Sequence, residues 1–188
     1  DRPVHEYIVA WDIAKRHDRL ASMVFQRYPE HQHDPDGKSR GVEYLNALFI
    51  AQYSGLPYPE IGQKIVDLQE NKYLRGNSDL LIDQTGVGEA AVDIVRDKDK
   101  SPYGIIISSG NKPIPKYATQ PAVFKGSTPL AMSIPVGWSV PRQDLITAGQ
   151  VILQQGRLRI DPRIKGAAQF KEQLEAFKQN KTTKKYEA

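Results

Sequence analysis

The chain has 188 residues, of which 39% are hydrophobic and 26% charged, and it contains no cysteine. That size suits one well-cored domain, and the lack of cysteine excludes disulfides and thiolate metal sites. No apolar run approaches the roughly 20 residues of a membrane span, no signal pattern opens the chain, and a net charge of +4 leans toward a polyanionic partner.

Glu6 to Trp11 reads as the first strand, an apolar run that ends on the carboxylate of Asp12. Residues 13 to 18 form a polar turn, and Arg19 to Gln26 return as a second strand. Pro29 to Arg40 reads as a solvated loop, and His31 and His33 within it need no metal. Gly41 to Gln52 is a third strand, and the short connections predict an antiparallel meander.

A helix is expected from the prolines at 57 and 59 to about Asn71, with Ile61, Ile65 and Leu68 on one face. Asp79 to Asp83 is a fourth strand, again closing on an acid. Gly86 and Gly88 punctuate the turn into a second helix, roughly Glu89 to Asp97, with Val92 and Val95 inward. Tyr103 to Ser108 is a fifth strand. Ser109 to Val136, rich in proline, reads as irregular, with Ala122-Val123-Phe124 as a short strand at most. A third helix is expected to reach about Gln155, its apolar face carrying Leu145, Ala148 and Ile152. Arg157 to Ile160 reads as a short strand, and a last helix from about Ile164 carries Phe170, Leu174 and Phe177.

A meander feeding βαβ units predicts an α/β fold with a mixed sheet: strands one to three antiparallel, four and five parallel, helices on both faces. The right-handed crossover rule sets strand four beside strand one. Asp12 and Asp83 then meet at one rim. A single Asp at a strand end needs only turn chemistry. Two together form a hard oxygen site for Mg²⁺ or Mn²⁺. In two-metal phosphodiester cleavage, ions about 4 Å apart clamp the attacking and leaving oxygens.

Asp18 reads as closing its hairpin turn, and Glu89 as complementing a helix N-terminus. Asp93, one helical turn on, is a weaker candidate for the rim. The glycines at 86 and 88 lack the full phosphate-loop pattern. They read as permitting a tight turn and close backbone approach beside the acid. Lys15 and Arg16 flank the first acid, and Lys112, Lys116, Lys125 and Arg142 extend a basic track suited to a DNA backbone.

Ile8-Val9-Ala10-Trp11-Asp12-Ile13-Ala14 and Leu81-Ile82-Asp83-Gln84-Thr85-Gly86-Val87-Gly88 resemble two acidic motifs of one family. Trp138 to Leu145, Gln155 to Leu158, Phe170 to Phe177 and the closing Tyr186-Glu187-Ala188 are similar to its later segments, in the same order. The family is the nuclease domain of the large terminase subunit of tailed bacteriophages. The resemblance implies an RNase H-like fold over residues 1–188. It implies a metal-dependent endonuclease, with Asp12 and Asp83 as catalytic metal ligands and two Mg²⁺ or Mn²⁺ ions in the complete site. The substrate would be concatemeric viral double-stranded DNA, cut during genome packaging. The implied partners are an ATPase motor domain of the same polypeptide, the small terminase subunit and the portal protein, with no membrane. The implied location is the host cell cytoplasm, transiently at the procapsid portal. The family's third metal ligand is expected beyond Ala188, so the chain is expected to be a piece of a longer polypeptide that also supplies the motor.

Other readings stay open at this point. An RNase H-like module that grips DNA or a portal without cutting has the same strands, and so does a resolvase or integrase. A sugar-kinase or actin-like ATP site wants glycine soon after the first acid, where this chain has Ile13-Ala14-Lys15-Arg16.

Overall fold

The computed structural model describes residues 5–13, 19–33, 36–86, 88–98, 100–122, 130–176, 178–179 and 186–187. The order of elements is β1 (Tyr7–Asp12), β2 (Arg19–His33), β3 (Ser39–Ser54), α1 (Tyr58–Gln69), β4 (Ser78–Asp83), α2 (Gly88–Arg96), β5 (Tyr103–Ser108), β6 (Ile114–Ala122), β7 (Leu130–Pro141), α3 (Arg142–Gln154), β8 (Leu158–Ile160), α4 (Ala167–Ala176), β9 (Lys178–Gln179) and β10 (Tyr186–Glu187). The first eight strands make one sheet in the order β6-β7-β5-β4-β1-β2-β3-β8, and β9 and β10 pair separately.

Strands β1, β2 and β3 form the expected antiparallel meander. β4 lies parallel to β1, β5 parallel to β4, and β7 parallel to β5. The fold is therefore α/β with a mixed sheet. The alternation of β1 explains its two faces. Val9 and Trp11 are buried, as are Leu80 and Ile82 beside them on β4. They meet Ile61 and Ile65 of α1 and Ala91, Val92 and Val95 of α2 in one core. Helix α1 starts where Pro57 accepts the amides of Glu60 and Ile61 at its carbonyl, a start that costs no ladder donor. Helix α4 lies along β3, where Gly166 packs on Ile50 and Gln173 accepts from Gln52. Ile50 and Gln52 pair with Met23 and Ala21, so α4 covers part of the face opposite α1 and α2.

Three expectations are corrected. Residues 29 to 33 and 39 to 40 are strand rather than loop. β2 continues to His33 and β3 begins at Ser39, with His31 paired to Gly41 and Gln32 to Arg40. Pro29 is compatible with this because β2 has outrun β1, whose pairing stops at Gln26, and has a neighbour on one side only. Much of 109 to 136 is also regular: β6 and β7 pair antiparallel. Pro115 and Pro121 sit on the edge strand, and Pro135 faces the register shift between Lys116 and Tyr117, so each falls where the ladder can spare a donor. Ala122 ends β6, and Val123 and Phe124 lie outside the described residues. Finally, α3 forms but buries none of its residues, and Leu145, Val151 and Leu153 are exposed. Ile146 and Ile152 are half-buried, so the helix is covered only in part. In α4, Phe170 and Leu174 are half-buried, and Phe177 lies outside the described residues.

Candidate metal centre

The β1–β4 register pairs Trp11 with Ile82. One rung further on, Asp12 stands beside Asp83 on neighbouring parallel strands, whose spacing is about 4.8 Å. Trp11 and Ile82 point into the helical core, so the two acids leave the sheet on its other face. The rung continues on both sides. Asp12 pairs with Ala21, Asp83 with Ile105, and Ile105 with Trp138. The sheet therefore presents a row of Ala21, Asp12, Asp83, Ile105 and Trp138 on one face, at the carboxyl ends of β1 and β4 and three residues short of those of β5 and β7. Open α/β sheets carry their ligand sites at such strand ends.

Desolvation at the rim raises the Asp12 carboxyl above the ordinary carboxylate range, and the negative charge of Asp83 raises it further. Asp12 as a residue is exposed, which limits the desolvation, whereas the Asp83 charge acts without burial. Asp83 is oriented by its own turn: its Oδ1 accepts the backbone N–H of Thr85 at 2.7 Å. Thr85 is anchored in turn, its Oγ1 accepting the Ile107 amide at 2.9 Å, while the Gln84 amide donates to the Ile105 carbonyl at 2.7 Å. Gly86, at φ 71, allows this turn. Gly88 allows α2 to begin against the Asp83 carbonyl, which a side chain would strike.

The donor set suits a hard divalent cation. Two carboxylates held on one rung repel each other, and a cation between them removes the cost. Among the described residues no group of three metal-ligating side chains occurs, so this pair alone offers one ion two protein oxygens, with water and phosphate oxygens to complete the shell.

The remaining predicted residues divide. Lys112, exposed in the turn before β6, and Arg142, exposed at the start of α3, lie at the same end of the sheet as the acids, beyond the ends of β5 and β7. Lys116 pairs with Gly137, which pairs with Gly104, and Gly104 with Ile82. That register assigns Lys116 to the face opposite the acids. Lys15, Arg16, Asp18 and Lys125 lie outside the described residues. Glu89 and Asp93 are exposed on α2, and Asp93 pairs with Arg96 at 3.7 Å.

Sequence reasoning missed two residues of the site, Thr85 in the turn and Trp138 in the row. Thr85 had a signal, since an Asp two residues before an amide commonly closes an Asx turn. Trp138 had none, because its position depends on pairing between β5 and β7, which are distant in sequence. No family model, curated protein or solved structure matches the chain.

Proposed function

We propose that the chain is an RNase H-like, metal-dependent DNA endonuclease domain of the large-terminase type, acting on double-stranded viral DNA. The observation that carries this reading is the pair Asp12 and Asp83 on one rung of neighbouring parallel strands. The strand order β3-β2-β1-β4-β5, antiparallel and then parallel, supports the fold part of the reading.

In this mechanism Asp12 and Asp83 hold Mg²⁺ or Mn²⁺. When bound, the ion supplies Lewis acidity to a phosphodiester. The chain does the rest. Thr85 fixes the rotamer of Asp83 through its backbone N–H. Lys112 and Arg142 at the same end of the sheet attract and orient the phosphate backbone, a contact that weakens steeply with salt. Trp138, 40% exposed at the end of the acid row, offers its indole to a base or sugar. It stands two strands from Asp83, roughly 10 Å, or about three base-pair rises of duplex DNA. Motor domain, small subunit and portal are the partners this reading implies.

A second reading is favoured by one observation. The described residues supply only two clustered carboxylates, whereas a two-ion site asks for at least one more ligand. On that reading the module grips DNA or a portal without cutting. Plasmid nicking with Mn²⁺ or Mg²⁺ separates the two, run alongside calorimetric Mn²⁺ titration of the chain and of Asp12→Asn and Asp83→Asn. Metal-dependent nicking lost in both variants is the expected result. Mn²⁺ binding and DNA binding without nicking would transfer the assignment to the non-cleaving module. No Mn²⁺ binding at all would remove the metal centre.

A further inference from the structure

Beyond Gln26 the β2–β3 ladder leaves β1 behind and runs on as an arm, and β8 pairs along its flank. We propose that this arm, with the segment joining α3 to β8, forms a binding pocket for a phosphate group, separate from the acid rim.

The cavity is about 260 Å³, walled by Gln32, Arg40 and Tyr44 from the arm and by Gln155 and Arg157 from the α3–β8 segment. That is just below the size of pockets that hold drug-sized ligands, and suits a small anionic group. Its chemistry is one-sided. Arg157 is half-buried, and its Nε is sealed from solvent with no hydrogen-bond partner. The main chain holds it in place, because the Leu45 amide donates to the Arg157 carbonyl at 2.8 Å. Arg157 lines the cavity with a guanidinium that the protein leaves short of acceptors, a shortfall an anion in the cavity can make good.

Tyr44 adds a second donor. Its ring is buried, and its hydroxyl accepts from Gln32 Nε2 at 2.6 Å. With that oxygen occupied as an acceptor, the phenolic proton is left to donate. The arm also pairs one of its acids. Glu30 pairs with Arg159 at 2.8 Å, and that guanidinium lies over the Tyr44 ring at 3.8 Å. Among the described residues, no carboxylate walls the cavity. The wall thus carries two guanidinium groups, a phenol and two amides, a set of donors that matches an oxyanion and bidentate Arg–phosphate geometry.

This inference does not rest on the nuclease reading. Ala21 pairs with Asp12, and Gln32 lies eleven positions further along β2, or roughly 36 Å at strand spacing. The phosphate has two sources, a free phosphate or nucleotide and a nucleic-acid backbone. NMR of the arginine Nε–H groups resolves them. Inorganic phosphate is titrated into the chain, and separately a short DNA duplex without divalent metal. Expected with phosphate is a saturable shift of the Arg157 Nε–H. Affinity should fall about tenfold in Arg157→Lys, which keeps the charge, loses the fork and is followed through the Arg40 Nε–H on the same cavity wall, and several-fold in Tyr44→Phe. Arg40→Gln, on the exposed arm, gives the same loss with no demand on folding. If the duplex moves the same resonance and the same variants weaken it, the source is nucleic acid. If only phosphate does, the source is a soluble ligand. No saturable shift with either probe, or affinities unchanged in Arg157→Lys and Arg40→Gln, overturns the proposal.

Discussion

Gly88 lies so close beneath the carbonyl of Asp83 that a Cβ at position 88 would overlap that oxygen. The first turn of α2 is thus packed directly on the main chain that carries an acid of the rim. Gly88→Ala must push the backbone of Asp83 away, and overpacking of this kind costs about 1–3 kcal/mol. The control is Gly149 in α3, where an added Cβ meets nothing. Gly149→Ala should stabilise by about 0.5–1 kcal/mol through helix propensity. Thermal melts should move in opposite directions, by about 2–4 °C per kcal/mol for a chain of this size. Only Gly88→Ala should also weaken Mn²⁺ binding. Equal melting points for the two variants would mean that α2 does not abut the rim.

The charge on Asp12 opposes folding. Desolvation and the Asp83 charge raise its carboxyl, so the ionised form is less favourable in the folded chain than in the unfolded one. Stability is therefore lost as pH rises from the unfolded pKa through the raised folded one, and the cost is fully present above both. Asp12→Asn removes that cost. At about pH 7 the variant should melt above the parent, by no more than about 1 kcal/mol because the residue is exposed and screened. The gap should close at about pH 3, where both forms are neutral. Mn²⁺ should raise the melting point of the parent and not of the variant. A variant less stable than the parent at pH 7 would mean that the two acids do not share a rung.

The strands that carry the acids were legible because each is a short apolar run closed by Asp, and chain order with crossover handedness sets them side by side. Helices α1 and α2 were legible from Ile61 and Ile65, and from Val92 and Val95, all buried in the core. The arm and the β6–β7 hairpin were not. Proline at 29, 115, 121 and 135 argues against strand in any local reading. Whether it breaks one depends on whether a neighbour needs the missing N–H, which is tertiary information. Leu145 shows the opposite failure: periodicity predicts an inward face on α3, but burial requires a partner, and Leu145 is 41% exposed. Trp138 joins the acid row only through two pairing registers.

The chain has two tryptophans, which makes DNA contact at the rim optically testable. Trp11 is 3% exposed and stacked on Tyr53, with ring centroids 6.0 Å apart. Trp138 is 40% exposed, so quenching by a bound base reports almost entirely on Trp138. Adding DNA in Ca²⁺ or without metal should quench the emission, and Trp138→Phe should abolish the signal. Loss of a base stack costs about 1–3 kcal/mol. Trp138→Ala should therefore weaken binding by roughly five- to 150-fold, and Phe should restore much of it. Binding with unquenched Trp138 would move the DNA path off this end of the row.

Asp79 joins three parts of the chain at the end of the sheet away from the acids. Its Oδ1 contacts His5 Nδ1 at 3.0 Å, and its Oδ2 accepts from Arg27 Nη1 at 2.9 Å. The same Arg27 nitrogen donates to the His5 carbonyl at 2.7 Å. β4, the approach to β1, and β2 are thereby tied where the arm departs. Both charged partners are mostly shielded, with Arg27 21% and Asp79 23% exposed. Removing the carboxylate therefore leaves a guanidinium short of an acceptor rather than returning it to water. Asp79→Ala should cost about 1.5–3 kcal/mol, the range for hydrogen bonds to charged groups. Arg27→Ala should cost a similar amount, and the double variant should cost clearly less than the sum, because each single change already breaks the shared contact. Urea melts at neutral pH measure all four states. Strict additivity would show that Asp79 and Arg27 act independently, and the strand junction would then owe its strength to backbone pairing alone.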